Sequence, residues 1–251
     1  MTMRKSTRQL GLLAAFALIA SSALIAQDSG SAEKLAVGVS LNHDAFFGFN
    51  PMITASYPLN KKSELTFYGI QWGAGTASAW ANWTEFGMGV NIKAGDFAIN
   101  PQLGFTMGSL LSSGAAQRGV IGDGIVPNLT INLNNTKLIG QAYGGYYAAL
   151  RQETQRGNAT NNYMHYWFNL GAKATPWLAL GAHFEHLYLA GGKGDGVPDL
   201  ERTEGFQWIG PFIQVSKGIA GFRFSFGGDL TKDSESFSDN DFYKMNIFLN
   251  F

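Results

Sequence analysis

The sequence predicts an all-β protein: a transmembrane antiparallel up-and-down β-barrel of about twelve strands. Three observations predict it, namely long segments of alternating residue character, a low content of charge, and an N-terminal segment typical of exported proteins. Only 14% of the 251 residues are charged, against about 25% in an ordinary soluble domain. The 18 basic and 18 acidic residues cancel, so we expect no basic surface for nucleic acid. The absence of Cys excludes disulfides, zinc–thiolate sites and thiol nucleophiles.

The first 26 residues have the order of a secretory signal peptide. Three basic residues precede an apolar run at 10–20, and small residues follow it. This order is typical of signal peptides, and the apolar run is shorter than the roughly 20 residues that a membrane-spanning helix needs. We therefore expect a signal peptide over 1–26, cleaved after Ala26 or Ala23, and a single transmembrane barrel domain over 27–251.

After the signal peptide, the chain alternates with period two. In residues 86–93 the even positions hold Phe, Met, Val and Ile, while Gly, Gly, Asn and Lys stand between them. The same alternation recurs at 35–42, 97–108, 164–173 and 222–229. Successive side chains of a strand point to opposite faces, so each segment has one apolar face and one polar or small face. A tilted transmembrane strand needs about 9–11 residues with an apolar outer face, and the alternation alone reaches this length in 97–108 and 164–173.

Short and long connections alternate along the chain, and they give the strand count. Five short breaks have turn compositions; they are residues 60–63, 94–96, 134–135, 175–176 and 217–221. Six longer polar or glycine-rich stretches alternate with them: 43–48, 74–83, 111–126, 152–162, 191–204 and 232–241. Eleven connections join twelve strands. Barrels of ten or fourteen strands remain alternatives, because the sequence does not decide which face of the segments 64–73 and 205–216 points outward. Bacterial barrels place short turns in the periplasm, so both termini are expected there.

The end of the chain resembles a known targeting strand. Tyr243, Met245, Ile247, Leu249 and Phe251 occupy every second position of the last segment. This pattern resembles the C-terminal strand of Gram-negative outer-membrane β-barrel proteins. The resemblance implies an outer-membrane location, insertion by the barrel assembly machinery, and contact with outer-membrane lipid and lipopolysaccharide. In size the chain is similar to small channels such as the nucleoside channel and the acidic-oligosaccharide porins, without a shared binding motif.

Aromatic residues near the strand ends are interpreted as two bands at the membrane interfaces, where amphipathic rings prefer to lie. The expected outer band consists of Trp72, Trp80, Trp83, Trp208 and Tyr243. The expected inner band consists of Tyr57, Phe97, Trp177 and Phe251.

The polar face of the strands predicts which ionisable residues line the lumen. Judged by whether each residue stands at an odd or an even position of its strand, which we call its parity, they are Lys93, Lys137, His165, Lys173, His183, Glu185, Arg223, Asp229 and Lys244. Within residues 183–186, His183 and Glu185 share a face of the strand while His186 points the other way. The two histidines are therefore not expected to bind a metal together, and a lumenal pair of His183 with Glu185 is the preferred interpretation.

Two functional hypotheses remain open. The first is a passive pore for small polar or anionic solutes, because a basic-leaning lumen favours anions. The second is a closed structural or surface-interaction barrel whose outer loops, chiefly 111–126 and 191–204, bind lipopolysaccharide or another partner. In that case the inward lysines pair with acids and plug the lumen. No catalytic, cofactor or metal site is expected, because no nucleophile–base order occurs and residues 194–199 offer too few oxygens for calcium.

Overall fold

The structure is a computed structural model, and it describes residues 34–73, 83–114, 119–231 and 241–251. The expected signal peptide at 1–26 lies outside the described residues. The strands all belong to one compact unit, Ala36–Phe251. No helix in the described ranges is long and apolar enough to cross a membrane.

Twelve antiparallel strands form a closed barrel, which confirms the predicted all-β up-and-down fold and its preferred strand count. Each strand pairs with its neighbours in the chain, and the last strand pairs with the first. The strands are β1 (Ala36–Asp44), β2 (Gly48–Asn60), β3 (Ser63–Trp72), β4 (Trp83–Ala94), β5 (Phe97–Gly108), β6 (Val120–Asn134), β7 (Leu138–Ala149), β8 (Asn162–Thr175), β9 (Leu178–Gly191), β10 (Thr203–Lys217), β11 (Ala220–Asp229) and β12 (Asp241–Asn250).

The two ends of the barrel differ in their connections. One end, called the short-turn end, carries five tight turns; they occupy residues 61–62, 95–96, 135–137, 176–177 and 218–219. Both ends of the barrel sequence also lie there, since the backbone N–H of Phe251 donates to the carbonyl of Val37 at 2.8 Å. The opposite end, called the long-loop end, carries the other six connections, which join β1 to β2, β3 to β4, β5 to β6, β7 to β8, β9 to β10, and β11 to β12.

The connection between β1 and β2 is shorter than the sequence predicted. The stretch 43–48 was expected to be a long loop, but only residues 45–47 separate the two strands. The carboxylate of Asp44 tightens this turn, because its Oδ1 accepts the backbone N–H groups of Phe46 at 3.0 Å and Phe47 at 2.6 Å. The second difference is at 111–126, where β6 already begins at Val120.

The outer face of the barrel is apolar. Large exposed hydrophobic side chains recur at every second position of the strands; they include Ile53, Phe86, Met88, Phe105, Phe168, Leu170, Leu180, Ile209, Phe226 and Ile247. A continuous apolar surface of this kind is not stable against water, and it matches the apolar outer band of a transmembrane barrel.

The expected outer aromatic band is wrong for three tryptophans. Trp72, Trp83 and Trp208 are only 7%, 4% and 0% exposed, and they lie inside the barrel. Their strands place aromatic residues inward near the long-loop end, so the rule that apolar residues face lipid fails there. Tyr243 does face outward and is exposed, whereas Trp80 lies outside the described residues.

The inner band has the exposure that an interface band requires. Tyr57, Phe97, Trp177 and Phe251 are all exposed at or near the short-turn end. Rings at this end of the barrel are therefore available to the headgroup region.

Two glycines make room for a tyrosine inside the wall. A Cβ atom at Gly87 would lie 2.2 Å from the ring of Tyr68, and one at Gly104 would lie 2.3 Å from its hydroxyl oxygen. The ring is held in this position because its hydroxyl donates to Glu85 at 2.5 Å and accepts from Asn128 at 3.0 Å. Glycine at these positions therefore lets Tyr68 lie flat across β4 and β5.

We expect Gly87→Ala to destabilise the barrel, because the new methyl group would push Tyr68 away from Glu85. Overpacking of a filled interior costs about 1–3 kcal/mol, and the measurement is urea unfolding of the refolded protein in detergent micelles. Gly144→Ala is the matched control, since its nearest neighbours lie at ordinary contact distances of 3.8 and 3.9 Å. Equal stability of the two variants would contradict the proposed role of Gly87.

Candidate functional site

The long-loop half of the lumen is filled by a cluster of buried, mostly aromatic side chains, which we call the stopper. Its members come from seven strands and two connections, so the cluster reaches across the barrel. They are Phe47, Tyr68, Ile70, Trp72, Trp83, Leu110, Leu111, Val126, Tyr147, Leu187, Phe206, Trp208 and Phe242.

Phe47 lies at the centre of the stopper. Its ring centroid lies 4.8 Å from that of Trp72, 5.6 Å from His165, 6.2 Å from Trp83 and 6.4 Å from Phe206. These four partners belong to β3, β8, β4 and β10. The short β1–β2 turn therefore carries an aromatic side chain to the middle of the lumen.

The connection between β5 and β6 also folds into the mouth of the barrel. Leu110 and Leu111 belong to the stopper and are almost fully buried. The carboxylate of Asp123 holds this segment, because it accepts the backbone N–H groups of Leu110, Leu111 and Ser112 at 3.2, 2.9 and 2.7 Å. An aspartate on the barrel wall thus fixes the backbone that covers the stopper.

A layer of charged and imidazole side chains lies in the same lumen and is centred on Glu185. This carboxylate is 0% exposed. It accepts from His165 Nε2 at 2.7 Å and His183 Nε2 at 3.0 Å. Because an ionised carboxylate has no proton to give, each imidazole donates through Nε2. Lys244 completes the set, with its Nζ at 2.8 and 2.6 Å from the two carboxylate oxygens.

The Glu185–Lys244 pair connects β9 with β12, two strands that are not neighbours in the sheet. The same ammonium lies 3.9 Å from Oδ2 of Asp44 and 5.4 Å from the ring centroid of Trp167. Asp44 is the residue that turns Phe47 inward. The charged layer is therefore coupled to the stopper through one aspartate.

A cavity of about 680 Å³ extends from these layers to the short-turn end, where Ala36 and Phe251 line it. Twelve of its lining residues carry side-chain amides; they are Asn42, Asn50, Asn91, Asn100, Gln102, Asn128, Asn132, Gln141, Asn169, Gln214, Asn246 and Asn250. Two pairs of these amides bind each other, Gln141 with Asn132 at 2.9 Å and Asn246 with Asn42. An amide that uses one of its groups in this way keeps others for a ligand or water.

The lysines that parity placed inward have different surroundings. Lys93 forms a half-exposed ion pair with Glu64. Lys173 donates to Asn134 Oδ1 and to the carbonyl of Asn135, both at 2.6 Å, beside the β6–β7 turn. Lys137 departs from the expectation, because it lies in that turn rather than on a strand and is exposed.

Two further expected residues are held by neutral groups. Arg223 lines the cavity, and its Nε and Nη2 donate to Gln214 Oε1 at 2.9 and 2.6 Å. Asp229 lies at the long-loop end of β11, where its carboxylate accepts the backbone N–H groups of Gln207 and Thr231, both at 2.9 Å.

His186 lies on the opposite face from His183, as the strand period requires. It binds the hydroxyl of Tyr166 at 2.8 Å and the carboxylate of Glu204 at 2.5 Å. Arg202 donates twice to the same carboxylate, at 2.9 and 2.7 Å. The two histidines thus belong to different clusters, and within the described ranges no set of three or more His, Asp or Glu side chains could hold a metal ion.

The loop fragment 194–199 contains an ion pair. Asp199 accepts from Lys193 Nζ at 2.6 Å and from the backbone N–H of Gly194 at 3.0 Å. These donors, the lysine first, hold the pKa of Asp199 below its usual value. The carboxylate that a calcium ion would need is therefore already engaged.

The stopper and three acidic residues of the lumen, Asp44, Glu64 and Glu85, were not predicted from the sequence. The sequence did contain a sign of the stopper. In residues 68–72 and 206–208 the even positions hold aromatic or apolar side chains, and these side chains lie on the inward face of their strands, whereas in most other strands the apolar face points outward. Inward aromatic residues at one end of several strands indicate a filled lumen at that end.

The chain resembles solved outer-membrane barrels. A channel from Pseudomonas putida F1 matches 89% of this chain and 99% of its own, with a TM-score of 0.60 and 13% identity. The KdgM porin matches 86% of this chain and 99% of its own, with a TM-score of 0.46 and 11% identity. The first match supports the fold assignment. A family model described as a family of unknown function, DUF6733, matches residues 3–251, and no curated protein matches the sequence.

We expect Lys244→Met to destabilise the protein strongly, because it leaves the buried carboxylate of Glu185 without its cation. Breaking a buried ion pair costs about 3–5 kcal/mol, measured as the free energy of unfolding in urea and detergent. The control is Lys93→Met, which breaks an ion pair at a half-exposed lysine and should cost less than about 1 kcal/mol. Similar losses in both variants would argue against a special role for the Glu185 layer.

Proposed function

This chain belongs to DUF6733, a family of unknown function, so its function has to be inferred from its own structure. We propose from the geometry that it is an outer-membrane pore-type barrel for small polar solutes. Its resting state is closed at the long-loop end by the stopper. The apolar outer face supports the membrane location. The shared fold with the Pseudomonas channel is consistent with a pore-type barrel.

The amide-lined cavity is the observation that carries this proposal. Its volume of about 680 Å³ lies within the roughly 300–1,000 Å³ of small-molecule sites. Side-chain amides both donate and accept hydrogen bonds, so they can replace the water around a polar solute regardless of its charge. A lumen that only had to be filled would not need this wall.

Passage through the barrel requires a displacement of the stopper. Phe47 is the natural moving part, because it comes from a three-residue connection rather than from a strand. Its ring contacts side chains from opposite sides of the barrel. Withdrawal of this one side chain would open the centre of the cluster.

A closed surface-interaction barrel is the second candidate. The observation that favours it is the extent of the stopper, whose members come from strands all around the barrel. In this case the cavity would be a blind vestibule, and the long-loop end would carry the function through lipopolysaccharide or another partner. With either function, we expect export through the signal peptide, insertion by the barrel assembly machinery, and periplasmic termini.

We expect Phe47→Ser to increase permeation, because it removes the central ring of the stopper and leaves a small polar group. The measurement combines single-channel conductance in a planar bilayer with the swelling of sorbitol-loaded liposomes. The wild-type protein should show rare or small openings, and the variant should show frequent larger ones.

The control variant for this experiment is Ile121→Ala, which truncates an 83% exposed side chain at the same end of the barrel. It should behave like the wild-type protein. If folded Phe47→Ser protein passes neither ions nor sorbitol, the pore proposal fails and the closed barrel replaces it.

A further inference from the structure

Arg223 differs from the other charged residues of the cavity wall. Four such residues line the cavity: Glu64, Glu85, Arg223 and Lys244. Glu64 is paired with Lys93 and Lys244 with Glu185. In the described part of the chain, no carboxylate lies within ion-pair distance of the Arg223 guanidinium, whose hydrogen-bond partner is the neutral amide of Gln214.

Glu85 does not offset this charge at the cavity surface. Its two oxygens accept from the hydroxyl of Tyr68 at 2.5 Å and from Trp72 Nε1 at 3.0 Å. The side chain is almost fully buried, so it presents little of its carboxylate to a solute in the cavity. Arg223 is only partly buried.

The orientation of the guanidinium leaves a binding edge free. Nε and one hydrogen of Nη2 point to Gln214, so three of the five N–H groups remain: two on Nη1 and one on Nη2. The Phe212 ring supports the group, with its centroid 4.9 Å from Arg223 Cζ. The Nη1–Nη2 edge is the fork that pairs with a planar carboxylate through two parallel hydrogen bonds.

The neighbouring wall supplies polar groups for the rest of such a solute. Arg223 stands opposite Gln214 on β10 and Asn246 on β12. Asn246 donates to Asn42, whose own amide donates to the carbonyl of Asn50 at 2.9 Å. These amides form a polar wall next to the guanidinium, and hydroxyl groups would suit it.

We propose that Arg223 is the selectivity residue of the cavity and binds small polyhydroxylated carboxylates through its free edge. This inference rests on the proposed function, because it names the class of solute that the amide-lined cavity takes. It also narrows the sequence-based expectation of an anion-favouring lumen, which rested on four lysines and Arg223, to Arg223 alone.

The test compares D-gluconate with sorbitol, which share a hydroxylated six-carbon chain and differ in the carboxylate. Binding is measured by isothermal titration calorimetry on the refolded protein in detergent micelles, so no passage through the barrel is needed. We expect wild-type protein to bind gluconate about tenfold or more tightly than sorbitol, since a charge-assisted hydrogen-bonded pair contributes at least this ratio.

Arg223→Gln should remove this preference, because it keeps a hydrogen-bonding side chain but loses the charge and the fork. Lys137→Gln is the matched control; it removes one positive charge from an exposed turn outside the cavity and should leave the preference unchanged. Equal binding of the two probes by wild-type protein would overturn the inference. So would an unchanged preference in Arg223→Gln, or an equal loss in both variants.

A measurement on the wild-type protein covers the case in which Arg223→Gln does not fold. Sodium acetate should displace gluconate, whereas glycerol at the same concentration should not. Displacement by both or by neither would overturn the inference. Failure of these binding tests leaves the permeation result for Phe47→Ser untouched, so the two proposals fail separately.

Discussion

The carboxylate of Glu185 is the constraint on which both halves of the lumen depend. A buried charge is stable only when it is paired and its remaining lone pairs are satisfied. Here the two histidine donors and the Lys244 ammonium come from β8, β9 and β12, so they tie non-neighbouring parts of the wall together. The same ammonium faces Asp44, which directs Phe47 into the centre. The position of the stopper therefore depends on the charged layer, and so does the depth of the cavity.

The closed sheet explains why such a filling is needed. A twelve-stranded barrel encloses more space than one inward layer of wall side chains can occupy, since eight strands are already filled by them. The protein fills one half with large rings and adds Phe47, Leu110 and Leu111 from two connections. In the other half the inward side chains include many Asn and Gln residues, which are too short to fill the lumen, and the unfilled space is the cavity. The two ends of one continuous set of strands therefore differ through the size of their inward side chains.

The sequence was sufficient for the fold and insufficient for the lumen. Alternation and turn composition specify strands and their number, because the pleat and tight turns are local properties. The inward position of His183 and Glu185 follows from the same period. Contacts across the barrel are not local: nothing in the sequence indicates that Lys244 meets Glu185, or that Phe47 reaches the axis. The rule that apolar side chains face the lipid also fails where the interior itself is apolar. For this reason Trp72 and Trp208, which lie inside the barrel, were assigned to an aromatic band at the membrane interface. At strand ends the assignment of a side chain to one face fails for another reason: if the strand begins one residue later than expected, the side chain belongs to the turn, as it does for Lys137.

A stopper of this kind is compatible with transport, on energetic grounds. Fully burying a phenylalanine side chain contributes about 1.5–3 kcal/mol, so withdrawal of Phe47 alone has a cost of that order. A difference of this size leaves a minor state populated at roughly 0.6–7%. Under the proposed function, such a population corresponds to a pore with rare openings rather than a permanently sealed barrel. Withdrawal of the strand-borne rings, such as Phe206 and Trp208 stacked at 3.9 Å, would instead require the wall itself to move. The difference between a gated pore and a closed barrel is thus set by whether the β1–β2 turn can release one ring while the Glu185 layer stays in place.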